Sequence, residues 1–259
     1  MNAYQIVQAA RDVNRISTLE VIDALCHQFI ECHGDRLMGD DRAMIAGVGL
    51  MDDQPITVIG LQKGLTTKEN IERNFGSSGP AGYRKAQRQM RLAEKFNRPV
   101  LTLINTAGAY AAPESEMNGI GEAIAQTLMT MAELTVPTLA IILGEGGSGG
   151  AIALALADQV WMMENSIYSI LSPEGFASIL WKDSKLAPEA AEIMKLTAPE
   201  LLDLGIIEYI VPEKNNNKPK EKDEILTFMI PKIKKTLIEL KNQSIEERLT
   251  ARHERFRKF

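Results

Sequence analysis

The chain has 259 residues, 45% of them hydrophobic and 24% charged, so it can bury a sizeable core and is not a disordered protein. A net charge of -5, from 29 basic and 34 acidic residues, excludes the broad basic field of a dedicated nucleic-acid binder. Cys26 and Cys32 are too few for a disulfide framework, no basic-then-apolar leader opens the chain, and Glu145, Asp158 and several glycines interrupt the apolar stretch 138–163, so a cytoplasmic protein off the membrane is expected.

Residues 1–33 read as helical. Ser17 and Thr18 can cap a segment in which Leu19, Ile22, Leu25 and Phe29 recur at helical spacing. "CHQFIECH" (26–33) reads as a helix end whose two Cys-His pairs, six residues apart, lie on different faces, so no metal site is expected there. "MIAGVGLM" (44–51) and "ITVIGLQK" (56–63) flank "DDQP" and predict a hairpin. Residues 64–83 read as a polar, basic loop, and Arg84–Phe96 as an amphipathic helix. The rhythm then becomes strand, loop, helix. "PVLTLINT" is a buried strand, "AGAYAAPESEMN" a loop and Gly119–Leu134 a helix. "VPTLAIIL" is the next strand, followed by a glycine-rich turn and a short helix. "QVWMME" and "SIYSILS" read as strands, with short helices to Leu204 and a last strand in "IIEYIVP". Trp161 and Trp181 read as packing anchors. Residues 213–224 are polar, charged and expected to be flexible, and 225–259 read as one or two amphipathic helices.

Strands alternating with helices imply parallel pairing in an α/β fold, and the early hairpin suggests a repeated ββα plan. One domain spans the chain, with a helical segment (1–33), a core (34–212), the flexible stretch and the C-terminal helices.

The turn "LGEGGSGGAIALA" (143–155) matches two patterns at once. Gly144, Gly146 and Gly149 spell the dinucleotide fingerprint, and Glu164 stands where a ribose contact belongs. Against it, only two or three helical turns fit before Asp158. Gly146, Ser148 and Gly150 spell the nucleophile elbow. Its triad would need a histidine downstream, and the one available, His253, lies in a charged helix. A third reading uses the backbone alone. Consecutive glycines at a helix start expose N–H groups that can stabilise a carbonyl oxygen as it gains negative charge. That reading requires no nearby base, which suits a chain whose three histidines all lie near its ends. A tight turn with no ligand is the fourth possibility.

Longer motifs carry a resemblance. "QKGLTTKENIERNFG" (62–76), "GYRKAQRQMRLAEKFNRPVLTLI" (82–104), "GEGGSGGA" (144–151) and "SPEGFASILWKD" (172–183) resemble the α subunit of bacterial acetyl-CoA carboxylase carboxyltransferase. The resemblance is strongest over residues 30–212. It implies an α/β, crotonase-like fold (ClpP/crotonase), a spiral of ββα units with C-terminal helices. It implies an α2β2 heterotetramer with a β subunit that holds the zinc. The complex further includes a biotin carboxyl carrier protein and a biotin carboxylase, which uses ATP. The reaction implied moves a carboxyl group from carboxybiotin, held on the separate carrier, to acetyl-CoA, giving malonyl-CoA for fatty-acid synthesis. No cofactor bound by this chain alone is implied.

By the same resemblance, the N–H groups of Gly149 and Gly150 form an oxyanion hole, with Gly108 and Ala109 as a further backbone pair. Gly146 and Gly147 let the loop turn beside the substrate. Lys63, Lys68 and Arg73 are expected together as contacts to CoA phosphates or to the partner subunit. The loop after the "LINT" strand departs from the family's usual Asp-Thr-Pro-Gly-Ala-Tyr-Pro-Gly. Asn105, Ala107, Ala111 and Ala112 replace its Asp, Pro, Pro and Gly, and Met117, Asn118 and Ile120 replace polar residues further on. These changes raise two alternatives, an altered acyl acceptor or a non-catalytic paralogue. A dinucleotide enzyme is the remote one.

Overall fold

The computed structural model of the protein describes residues 1–215 and 218–258. Its centre is an eight-stranded sheet. An edge strand β1 (Gln28–Glu31) pairs antiparallel with β2 (Met44–Met51), and β2 with β3 (Gln54–Leu61). From β3 onward all pairing is parallel, through β4 (Val100–Thr106), β5 (Thr138–Gly147), β6 (Gln159–Met163) and β8 (Tyr209–Val211). The short β7 (Ile167–Ser169) also pairs with β5, alongside its last residues Glu145–Gly147. Thus β5 is shared end to end, β6 on its first half and β7 on its second.

Helices cover both faces, which is why β4 and β5 are buried at every position. Along these strands the side chains alternate between two cores. Val100, Ile104, Ala140 and Ile142 face α4 (Pro80–Lys95), α6 (Ile120–Glu133) and α7 (Ser148–Ala155), packing with Tyr83, Met90, Met131 and Leu154. Leu101, Leu103, Leu139 and Ile141 face α2 (Thr18–Leu25) and the long α11 (Lys222–Asn242), packing with Ile22, Met229 and Ile233. A smaller cluster joins α1 (Ala3–Ala10) to Ala191 of α9 (Ala187–Ile193).

Several elements differ from the sequence expectation. Residues 28–31 form a strand. Gly47 and Gly49 on β2 let the edge come close: a Cβ on Gly47 would sit 2.3 Å from the Ile30 carbonyl oxygen. "CHQFIECH" is therefore extended edge chain, so an argument from helix faces does not apply to it. Burial pushes the Cys26 thiol up to about 11. No group of three or more His, Cys, Asp or Glu suited to a metal occurs among the described residues. The hairpin turn is tighter than expected, with Asp52 and Asp53 both at positive φ, as a two-residue turn requires.

The 64–83 loop contains α3 (Thr67–Glu72), opened by a capping box between Thr66 and Glu69. Helix α4 starts at Pro80, four residues before the expected Arg84. Helix α5 (Pro113–Met117) forms in the loop after β4. The 213–224 stretch holds a small hairpin, β9 (Lys214–Asn215) with β10 (Lys218–Pro219), and Asn216 and Asn217 lie outside the described residues, as does Phe259.

Between β7 and β8 run α8 (Pro173–Trp181), α9 and α10 (Ala198–Asp203). The C-terminal helix α12 (Ile245–Phe256) is held by two buried arginines. Arg252 donates to the carbonyls of Met131, Ala132 and Leu134, at the end of α6, and Arg248 to those of Leu240, Gln243 and Thr135. The carbonyl end of a helix is its negative pole, so it suits these cations. Asp158 supplies the counter-charge, 2.8 Å from Arg252 Nε, and also accepts the Thr138 N–H at 2.7 Å. Replacing Asp158 by Ala strands two buried guanidinium groups. The expected loss is about 3–5 kcal/mol of stability, read as a lower denaturation midpoint in a urea titration. A loss below about 1 kcal/mol contradicts this account of the lock.

Candidate active site

Strand β5 stays buried through Gly147, and α7 begins at the next residue. The strand therefore runs four residues past its expected end at Leu143, because β7 gives its tail a partner. Pairing with β4 slips here: Ile104 faces Ile142, but Thr106 faces Gly146. Strand β5 carries extra residues, a bulge of the kind that re-aims a chain beside an active site. Asn105 Oδ1 accepts the Glu145 N–H at 3.1 Å, and Arg15 Nε donates to the Leu143 carbonyl at 2.7 Å. Both bonds satisfy backbone groups that the bulge takes out of the ladder.

The turn needs glycine where it meets the loop after β4. A Cβ on Gly147 would lie 2.0 Å from the Ala107 carbonyl oxygen. One on Gly150 would lie 2.6 Å from the Ala109 nitrogen, 2.7 Å from the Tyr83 hydroxyl and 2.9 Å from the Gly108 carbonyl carbon. Backbone cannot yield to such contacts. Gly149 is different, since its Cβ would meet only Ile124 methyls, the nearest at 3.6 Å. Ser148 is exposed and sits at φ +52°, a left-handed conformation that glycine adopts more easily.

Neither short pattern describes this geometry. The Glu164 carboxylate accepts the Glu213 N–H at 2.8 Å, so it serves the chain beyond β8. His253 is exposed on α12, and the Ser148 hydroxyl makes no hydrogen bond among the described residues. What the turn does present is backbone donors. Gly149 and Gly150 lie in the first turn of α7, where N–H groups have no carbonyl four residues back within the helix. The helix dipole adds positive potential there. On the facing loop the two expected donors differ. The Gly108 N–H already donates to Thr106 Oγ1 at 3.1 Å. The Ala109 N–H has no acceptor among the described residues.

A chain of alternating charges supports the turn from behind. Glu145 is only 7% exposed, yet it is ionically paired on both sides. Lys63 Nζ lies 2.7 Å from one carboxylate oxygen and Arg11 Nε 2.8 Å from the other. Arg11 also grips Glu174, at the start of α8, with bonds of 2.8 and 3.0 Å. That grip holds the Glu174 carboxyl down at about 2, well below its usual range. The three basic residues expected together are thus separated. Lys63 follows β3 and turns inward to Glu145. Lys68 is exposed on α3, and Arg73 donates to the Arg42 carbonyl at 2.7 Å. Sequence reasoning missed Arg11, Glu145 and Glu174. The available signal was a lone glutamate inside an apolar, glycine-rich run, since a buried charge must be paired.

Gly146 and Gly147 line a small pocket with Arg11, Ala107, Ser169 and Ser172. The substituted loop begins beside it. Its Tyr110 N–H donates to the Ser78 carbonyl at 2.9 Å, and Ser78 is anchored to Asp41 at 3.0 Å. Of the departures further along, Ala111, Met117 and Asn118 are exposed, Met117 at 87%, whereas Ile120 is buried in the core under α6.

A family model described as acetyl co-enzyme A carboxylase carboxyltransferase-like matches residues 1–259. The acetyl-coenzyme A carboxylase carboxyl transferase subunit alpha of Streptococcus equi subsp. zooepidemicus is 51% identical over 255 residues, 98% of each chain. That of Streptococcus pneumoniae is 50% identical over 259 residues, the whole of both chains. Among solved structures, transcarboxylase 12S with methylmalonyl-coenzyme A and methylmalonic acid superposes with a TM-score of 0.73 at 16% identity, over 90% of this chain and 44% of that one. A Pseudomonas malonate decarboxylase heterotetramer in complex with coenzyme A gives 0.71 at 16% identity, over 92% of each chain. These two likenesses show the fold, which is crotonase-like. By sequence, the chain belongs to the family of acetyl-CoA carboxylase carboxyltransferase α subunits.

Proposed function

We propose that this chain is the α half of an acetyl-CoA carboxyltransferase, active only with a β subunit. The observation that carries the reading is identity near 50% to curated α subunits along the whole chain. The assembly is an α2β2 heterotetramer in the cytoplasm, working with a biotin carboxyl carrier protein and a biotin carboxylase, and the zinc belongs to the β subunit. The product is malonyl-CoA for fatty-acid synthesis. No helix among the described residues is long and apolar enough to cross a membrane, in keeping with this place.

Carboxybiotin, on its carrier, supplies the carboxyl group and, after releasing it, a basic atom for the methyl proton of acetyl-CoA. The donor set of the turn fits that chemistry. A carbonyl oxygen that gains negative charge needs N–H donors, and the turn offers the N–H groups of Gly149 and Gly150 without a competing acceptor among the described residues. Ala109 adds a third N–H from the facing loop. Gly108 shapes that loop at φ +156° and keeps its own N–H on Thr106. A chain with no histidine at the turn has no need of one, because the proton leaves with the carrier's group. Gly146 and Gly147 give the bulge its path. Lys63 holds Glu145 and so the turn, while Lys68 and Arg73 remain as contacts for CoA phosphates or the partner.

Two variants isolate the donor. Gly149→Ala keeps the N–H, and its Cβ has room. Gly149→Pro removes the N–H in the first helical turn, where no intrahelical bond is lost; because proline disfavours the left-handed φ of the preceding Ser148, its assembly with the β subunit and its thermal midpoint are read alongside. In the reconstituted complex, the alanine variant should keep most of its malonyl-CoA formation. The proline variant should lose about a hundredfold in kcat, or roughly 3 kcal/mol. Turnover retained by the proline variant rejects the oxyanion assignment. Separately, Lys68→Ala should raise KM for acetyl-CoA about threefold with kcat unchanged, the scale of one exposed charge. Lys63→Met should instead lower kcat and the thermal midpoint together, since it strips a cation from buried Glu145. Equal effects from the two lysines contradict their separation.

A further inference from the structure

Tyr83, on α4, is fully buried. Four buried side-chain atoms make no well-aligned hydrogen bond among the described residues, Tyr83 Oη, Arg248 Nε, Arg252 Nη2 and Arg255 Nη1, though Arg252 Nη2 is ion-paired with Asp158 at 2.7 Å. The three arginines bond through their other nitrogens. Tyr83 alone has its entire polar function unpaired. Leaving a buried hydroxyl unpaired costs stability, so such a group in a native fold requires an explanation.

Its position supplies one. Gly150 has no side chain, and the space where one would stand is enclosed by the Tyr83 hydroxyl and the Ala109 nitrogen. The hydroxyl thus backs directly onto the first turn of α7 and onto the loop that faces it. Three donors border this point without an acceptor among the described residues: the N–H groups of Gly150 and Ala109 and the O–H of Tyr83. Donors gathered without an acceptor, in an interior of low dielectric, favour a negative charge that arrives only during reaction. Burial, with the nearby Asp41 charge adding to it, keeps the phenol from ionising. The group therefore stays a neutral dipole and not a base.

We propose that Tyr83 is a positioning residue for the oxyanion site, its buried O–H dipole, not cancelled by any hydrogen bond among the described residues, adding to the field of the Gly150 and Ala109 N–H groups. This rests on the oxyanion reading above. The residue does not touch substrate, because its hydroxyl is sealed behind Gly150. Its contribution is to the charge developed in the reaction, so it acts on kcat and not on substrate binding.

The test is Tyr83→Phe in the chain assembled with its β subunit, with a biotinylated carrier and acetyl-CoA. Phenylalanine keeps the ring and deletes only the unpaired oxygen. The expected result is a thermal midpoint unchanged or raised by about 2–4 °C, the scale of one relieved buried polar group. With it comes a fall in kcat of about tenfold, smaller than for a donor in direct contact. KM for acetyl-CoA should stay within about twofold, and the kcat deficit should be constant with pH, since the phenol does not titrate. A raised midpoint with unchanged kcat overturns the proposal, because the hydroxyl is then only a tolerated defect. A fall of midpoint and kcat together also overturns it, in favour of plain packing. The Gly149→Pro variant separates the two levels. If that variant keeps its turnover, the oxyanion reading itself fails. If it loses turnover while Tyr83→Phe does not, only the role of Tyr83 fails.

Discussion

The structure turns on one close approach, the glycine turn against the backbone of residues 107–109. Gly147 and Gly150 meet the loop at Ala107 and at Gly108–Ala109, with no room for a side chain. Because β4 and β5 are adjacent and parallel, their following loops leave the same edge of the sheet. Loops on neighbouring strands are usually kept apart by their side chains. Here the side chains are absent, so two runs of peptide N–H groups share one small space. The rest of the site follows from keeping them there.

Keeping them there takes charge. The bulge at residues 143–145 breaks the β4–β5 ladder, and the freed groups are taken up by Asn105 and Arg15. Glu145 sits inside that bulge with Arg11 and Lys63 on its two oxygens. Buried ion pairs add little net stability, but they fix geometry because misplacing one partner strands a charge. The set ties α1, β3 and α8 to the turn at once. Asn105 fits this setting well. An aspartate there would offer the same acceptor to the Glu145 N–H while adding a second negative charge beside the Glu145 carboxylate. The departure from the usual family residue thus leaves the bulge's hydrogen bond intact. The larger departures, at Ala111 and Met117, lie on exposed chain beyond the contact with the turn.

Much of this was legible in the sequence, for physical reasons. The long apolar runs of β4 and β5 read as buried strands because helices cover both faces. Helices α4 and α6 were visible in their periodicity. Other elements were decided by partners far away in the chain. Residues 28–31 have no strong pattern of their own and became a strand because two glycines on β2 admit them. The tail of β5 looked like loop because its partner, β7, lies some twenty residues further on. Helix α3 carried a local signal in Thr66 and Glu69, which the polar, glycine-flanked composition of its loop obscured. At the site, the glycines were legible as a pattern of missing side chains. The charges behind them were not, since Arg11 and Glu145 lie 134 residues apart. Nor could spacing reveal that Gly108 uses its own N–H on Thr106 while the Ala109 N–H has no acceptor among the described residues.

The glycine turn satisfied the dinucleotide and nucleophile patterns for a reason the structure makes plain. All three chemistries use the same element, a strand that ends abruptly in a helix with uncovered N–H groups. The patterns record that element and not its use. Use is set by what stands next to it. A dinucleotide site needs a free carboxylate at the next strand end, and Glu164 is held by the chain at Glu213. A serine nucleophile needs a base, and the histidines lie on the β1 edge and on α12. What does stand next to the turn is the Ala109 N–H, a sealed tyrosine hydroxyl and a ring of paired charges. Ser148 holds a strained left-handed φ that glycine would adopt at lower cost, so small size alone does not account for a serine there. The surroundings supply donors and withhold both a base and an acceptor, and that combination suits stabilising a charge formed on a bound molecule far better than forming a bond to the protein.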